Sequence, residues 1–311
     1  MDGEEDEDEE GDEEGEGEEE EEEEEEGEGR SVNRKGLEPL RTTVCSLLGM
    51  SLLPYELPLG RVLILPDVHM DVAWARAALA QEADNWDHLV FLGDYFDSGK
   101  RPPEVATHEG VAAFLRETMD RYGDRVTFLL GNHDLPYVES LEAVKAGRDP
   151  GEPLTYCPGF DPDGARALAE TVDAAFLRRF RFFVTANGHL LSHAGLHPSF
   201  WRDGIPGVDP LDALDGYCAI AREKMHLQSL PILGCGAARG GPKRVGGITW
   251  LDWRHEFEDH PALPPQIVGH TQDKNGLRWN GRSACIDGGQ TCWALLDAAG
   301  NLSSRSLASQ S

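Results

Sequence analysis

Basic charge is scarce in this chain, and long apolar runs are missing. Lys and Arg total 28 against 57 Asp and Glu over 311 residues, a formal net charge of −29. Direct nucleic-acid binding is therefore not expected, because phosphates repel such a balance. The longest apolar stretch, Val44 to Leu53, is interrupted and too short to cross a bilayer. The opening residues have neither the basic n-region nor the apolar h-region of a secretory signal. Six cysteines (Cys45, Cys157, Cys218, Cys235, Cys285 and Cys292) never form a C-x-x-C pair. They read as reduced thiols of an intracellular protein, cytoplasmic by expectation with a nuclear location left open; a disulfide framework or zinc site is the alternative. No internal repeat is present.

What is present divides unevenly. Residues 1–29 hold Met1, glycines and 22 of the acids. Such a segment repels itself and has nothing to bury, so it is expected to be disordered. The remaining 35 acids against 28 Lys and Arg leave the body near −7. The acidic tail reads as a solubilising run or as an arm for basic protein partners. Residues 30–60, punctuated by Pro39, Pro54 and Pro58, read as a linker with a short helix near Leu37–Leu48. Residues 61–311 suit one large domain.

In that body, short β-prone runs alternate with helical patterns and end in polar loops. Arg61–Leu65 leads to Pro66-Asp67-Val68-His69, and Leu89–Leu92 leads to Gly93-Asp94-Tyr95-Phe96-Asp97-Ser98-Gly99. Val126–Leu130 leads to Gly131-Asn132-His133-Asp134. Between them, helical periodicity runs through Val72–Leu79 and over 104–121. The β-α-β-α-β order predicts a layered α/β sheet. Residues 136–160 read as loop. Asp161-Pro162 and Asp209-Pro210 open two further helices, the second to about Leu227. Asn187-Gly188 turns a hairpin between Phe182–Ala186 and His189–Ser192. Residues 231–247 hold six glycines and read as a mobile loop. Gln266–Val268, Ser283–Ile286 and Cys292–Leu296 are the last expected strands.

The polar residues after these strands form one set: Asp67, His69, Asp94, Asp97, Asn132, His133, His193 and His270. Asp67 and His69 are two apart, so an extended backbone points both to one face. Asp94 adds a carboxylate, and Asn132, His193 and His270 add neutral O and N donors. The set suffices for two metals sharing one carboxylate. Mixed O/N ligation without thiolates suits Mn, Fe or Zn, with Mg weaker.

D-x-H, G-D-x-x-D, G-N-H-D, S-H-A-G and G-H-T, in that order, resemble the calcineurin-like metallophosphoesterases over about residues 61–296. The spacing is similar to the phosphoprotein-phosphatase branch, especially the diadenosine-tetraphosphatase-like and Shewanella-like phosphatases. Trp250-Leu251-Asp252-Trp253-Arg254 resembles their segment before G-H-T, and Cys285-Ile286-Asp287-Gly288-Gly289 their closing strand. The resemblance implies an α/β layered fold, two mixed β-sheets sandwiched between helices, with the metals at one sheet edge. It implies that Asp67 and His69 hold one metal, Asp94 bridges, and Asn132, His193 and His270 hold the second. His133 is then the general acid and Asp97 orients it. Two dications would neutralise phosphate charge and generate a bridging hydroxide for in-line attack.

Two departures bear on substrate. Ser98 stands where that branch has an arginine, and Met70 where glycine commonly follows D-x-H. Arg254 is the candidate replacement charge, with Lys100 and Arg101 behind it; Arg239, Lys243 and Arg244 of the glycine-rich stretch are further basic residues. The implied activity is hydrolysis of phosphomonoesters, on phosphoprotein or small phosphorylated substrates. Hydrolysis of dinucleoside polyphosphates or nucleotides is the alternative, and an inactive binding protein the third reading.

Overall fold

Short strands buried on both faces build the frame. In β1 (Val62–Leu65) every residue is buried. Val62 and Ile64 join one apolar cluster, Leu63 and Leu65 another, as the two-residue strand period requires. β2 (His88–Phe91) divides the same way, Val90 to the first cluster and Leu89 and Phe91 to the second. The computed structural model describes residues 55–307 apart from positions 84, 101, 146, 154, 156, 204, 205, 207 and 226–229. The acidic segment 1–29 and the helix expected near Leu37–Leu48 lie outside the described residues.

Among the described residues, ten strands make two five-stranded mixed sheets. The first adds β3 (Val126–Phe128), β9 (Cys292–Leu296) and β10 (Leu302–Ser306), in the order β10-β9-β1-β2-β3. The second holds β4 (Phe183–Ala186), β5 (His189–Ser192), β6 (Gln266–Val268), β7 (Arg278–Asn280) and β8 (Ser283–Cys285), in the order β4-β5-β6-β8-β7. β1, β2 and β3 are parallel, and so are β5, β6 and β8. Val62, Ile64 and Val90 of the first sheet meet Val184, Leu191 and Ile267 of the second in the cluster between the sheets.

Helices carry the other apolar cluster. α1 (Val72–Glu82) contributes Trp74 and Ala78, and α2 (His108–Tyr122) contributes Phe114 and Leu115, packed with Leu63, Leu65 and Phe91. α6 (Pro210–Lys224) adds Leu214 and Cys218. α4 (Pro162–Thr171) starts as its sequence predicts, with Asp161 as N-cap and Pro162 in the first turn. A separate short helix, α5 (Ala174–Leu177), follows it.

Three expectations change. Residues 136–160, read as loop, begin with α3 (Leu135–Lys145). Pro136 is tolerated because it sits in the first turn. The periodicity is hidden because Glu139 and Ser140 are buried beside Val138 and Leu141. The 231–247 stretch is not loose. The Glu256 carboxylate accepts the N–H groups of Ala238, Gly246 and Asp252. Its glycines serve close packing: a Cβ on Gly241 would lie 2.2 Å from the Cys235 carbonyl oxygen, and one on Gly247 2.0 Å from that of Ile232. Finally, Tyr55–Leu57, expected in the linker, run beside β4. Thr185 donates to the Tyr55 carbonyl and accepts from Leu57.

Candidate active site

Parallel strands put their C-terminal ends on one edge, and the polar loops therefore gather there. Asp67 and His69 follow β1, Asp94 and Asp97 follow β2, and Asn132 and His133 follow β3. His193 follows β5 directly, and His270 lies two residues beyond β6. Nε2 of His193 is 2.9 Å from Oδ1 of Asn132, 3.1 Å from Nδ1 of His270 and 3.4 Å from Oδ2 of Asp94. Nε2 of His69 is 3.8 Å from Oδ2 of Asp94 and 3.9 Å from Oδ2 of Asp67.

Tautomers follow from the outer hydrogen bonds. Nδ1 of His193 lies 3.0 Å from the Leu92 carbonyl and donates to it, so Nε2 carries a lone pair. Nδ1 of His69 donates likewise to the Asp97 carbonyl at 2.9 Å. Lone pairs of His193, Asn132 and Asp94 then face one another, as do those of His69, Asp67 and Asp94. A cation between such mutual acceptors would satisfy both groups. Ligand atoms of Asp67, His69 and Asp94 lie within 4.8 Å of one another, as do those of Asp94, His193 and His270. The donor set thus fits divalent metal ions, with Asp94 common to both groups. Nε2 of His270 is buried without a hydrogen-bond partner among the described residues, with the Trp250 ring edge-on at 6.0 Å.

Backbone amides hold the carboxylates. Oδ1 of Asp94 accepts from His133 N at 3.0 Å, and Oδ1 of Asp67 from His270 N at 2.9 Å, so Oδ2 of each turns to the imidazoles. A Cβ on Gly131 would fall 2.0 Å from Asp94 Oδ1, and one on Gly269 2.2 Å from Asp67 Oδ1. Only glycine admits these approaches. His69, Asp94 and His270 all take positive φ, at 44°, 55° and 64°. Such backbone persists where the surroundings over-determine it.

Asp134 is one source of that constraint. Fully buried, it accepts from Asp94 N at 2.8 Å, Tyr95 N at 2.7 Å and Gly131 N at 2.8 Å. Burial and the Asp94 charge push it up to about 8, while the three amides pull the other way. Among the cluster residues, burial would raise Asp94, but His193, His133, His69 and His270 hold it well below the usual range. Burial lowers His270, helped by His193 and by Arg239. Burial would lower His69, but Asp94 and Asp67 win and raise it.

Beside the cluster, Nδ1 of His133 lies 2.7 Å from Oδ2 of Asp97. Burial opposes charge on His133, yet Asp94 and Asp97 push it up to about 12. A Cβ on Gly159 would lie 2.4 Å from Asp97 Oδ2, so that turn closes over the carboxylate.

Arg254 does not join this gathering. Its guanidinium donates to the Gln272 carbonyl at 2.8 Å and pairs with Asp273 at 3.5 Å, about half exposed. Lys100 is exposed, and Arg101 lies outside the described residues. Three neighbours escaped the sequence. Asp134 closes G-N-H-D but carried no assigned role. Asp287, in the Ile286-Asp287-Gly288 run, is buried and pushed up to about 7 by burial and by Asp67. Cys157 Sγ lies 3.5 Å from Nδ2 of Asn132, and no local pattern marks it.

Two Asp/His groups sharing a carboxylate, at strand ends of a two-sheet sandwich, define a metal-dependent hydrolase acting on phosphate esters once the family is known. The calcineurin-like phosphoesterase family model matches residues 60–243, more than half of the chain, and the chain belongs to that family. The match includes Asp67 to His193 and stops short of His270, which the fold supplies. A crystal structure of a cold-active protein-tyrosine phosphatase of a psychrophilic Shewanella species is similar in fold. It is 17% identical, covers 83% of this chain and 84% of its own, and gives a TM-score of 0.54. A 1.1 Å structure of cold-active protein tyrosine phosphatase is 18% identical over 83% of this chain and 82% of its own, with a TM-score of 0.53. No curated relative matches the sequence at a significant level.

Proposed function

We propose that this chain is a two-metal phosphomonoesterase. Asp67, His69 and Asp94 hold one divalent ion, and Asp94, Asn132, His193 and His270 the second. Ions so held supply positive charge to a phosphate group and acidify water. The chain does the rest. Leu92 and Asp97 carbonyls fix the imidazole tautomers, and Asp134 sets the backbone that presents Asp94. The paired oxygens of Asp67 and Asp94 keep one edge for amides and one for metal.

The 2.7 Å contact between His133 and Asp97 carries the reading. A metal-storage or scaffolding site has no use for an oriented imidazole beside its ligands. A hydrolase does, since the departing alkoxide needs a proton. His133 presents Nε2 for that transfer while Asp97 holds Nδ1. Positive charge near Asp94 would lower His133 toward the range of a working acid.

The test is turnover by Mn-loaded protein of phosphoserine and phosphotyrosine peptides, p-nitrophenyl phosphate and diadenosine polyphosphates. Phosphotyrosine is included because the Shewanella enzyme of similar fold is a protein-tyrosine phosphatase. Turnover of the monoesters is expected. Cleavage of diadenosine polyphosphates alone would replace this reading by nucleotide hydrolysis, and no turnover at all would support an inactive binding protein.

A further inference from the structure

We infer that Arg239, from the turn at Ala237–Arg239, is the cation that binds the substrate's phosphoryl oxygens beside His270. The assignment rests on the phosphoesterase reading above, which assigns no lysine or arginine to the substrate's anionic group. Ser98 is buried, Lys100 is exposed, and Arg254 is committed to Gln272 and Asp273. Arg239 differs in how it is held. Its Nε lies 2.7 Å from Oδ2 of Asp252, a carboxylate that is itself buried. Its Nη2 donates to Oγ1 of Thr271 at 2.7 Å, and Thr271 directly follows His270.

That arrangement spends two of five N–H groups and keeps the rest. The Asp252 contact fixes the plane of the guanidinium, and Thr271 fixes its rotation. The same Thr271 oxygen accepts from Trp253 N at 3.1 Å, tying Asp252–Trp253 and His270–Thr271 together under the arginine. The backbone that carries Arg239 is pinned by Glu256 through Ala238. The remaining donors, on a side chain 30% exposed, form a preset fork of the kind that matches phosphate oxygens. A loop arginine kept only for stability would need no such orientation. Phosphate charge is present in substrate and in released phosphate alike, so Arg239 should act on both and be indifferent to the leaving group.

The experiment is calorimetric titration of inorganic phosphate into Mn-loaded wild type, Arg239→Ala and Arg239→Gln, with metal content and Tm recorded. Gln places an amide N–H near the position of Nε, within reach of Asp252, while removing the charge, so it covers the case in which Ala fails to fold. Phosphate binding should weaken by about 10- to 100-fold in either variant, the scale of one charge-assisted contact, with metal content retained. Wild-type affinity in the folded, metal-loaded variants would overturn the role of Arg239 and leave the phosphoesterase reading standing. Absence of phosphate binding in metal-loaded wild type would overturn both.

Discussion

Nδ1 of His133 and Oδ2 of Asp97 stand 2.7 Å apart, from loops after two neighbouring parallel strands. The contact fixes which nitrogen of the imidazole is free. It also makes the value of His133 depend on the group that leaves.

A nitrophenolate departs without help, whereas a serine-like alkoxide does not. His133→Asn should therefore lower kcat/KM on alkyl phosphates toward the ~10²–10⁴-fold scale of general-acid loss. Aryl phosphates with acidic phenols should lose far less. Asp97→Asn should show the same pattern more weakly. Equal losses on both ester types, with metal retained, would assign His133 to phosphate binding instead.

Asp134 touches no substrate in this account, yet it accepts three amides from the loops that carry Asp94 and Asn132. Asp134→Ala leaves those donors buried and unpaired, at a cost of about 1–3 kcal/mol each where water cannot reach them. Both Tm and metal affinity should fall. Asp134→Glu, which keeps the carboxylate, should recover metal affinity at least in part. A variant with wild-type metal binding would remove Asp134 from the support of the site.

Stability should respond to pH through His108. This ring is buried against Tyr137, and burial lowers its pKa below 6.5 despite Asp161, Glu109 and Asp97 nearby. The unfolded chain then binds the proton more readily than the folded one. The contribution is complete above about 6.5 and is lost as pH falls through and below that value. His108→Gln should make Tm fall less steeply between pH 7.5 and pH 5. An unchanged slope would contradict the assignment.

Residues 1–29 contain no apolar side chain beyond Met1, so folding of the body should not need them. Their deletion should leave Tm and turnover of p-nitrophenyl phosphate unchanged. A large fall in Tm would show that the acidic segment packs on the body.

The strand-end residues were legible because parallel strands and local sequence motifs carry them: Asp67, Asp94, Asn132 and His193 each sit just past a short apolar run. His270 was readable for the same reason. What stayed hidden depends on contacts distant in sequence. α3 was missed because Glu139 is buried inside it, accepting from Thr155 N at 2.6 Å, which erased the amphipathic stripe. β10 was missed because an edge strand of sequence Leu-Ser-Ser-Arg-Ser has no buried face to advertise. Arg254 was favoured over Arg239 because it closes the Trp250–Arg254 segment that precedes G-H-T. In the fold, Asp252 and Thr271 engage Arg239 while Arg254 turns to Asp273, contacts between residues that no local pattern links.

The account stands or falls on Asp94, the carboxylate common to both donor groups. Metal stoichiometry after Mn loading and gel filtration tests it most directly, measured for wild type and Asp94→Asn beside their activity. Wild type should retain two ions per chain, and Asp94→Asn should hold fewer and lose phosphatase activity. Two ions and undiminished turnover in Asp94→Asn, or a wild type that binds none, would contradict a centre built on this residue.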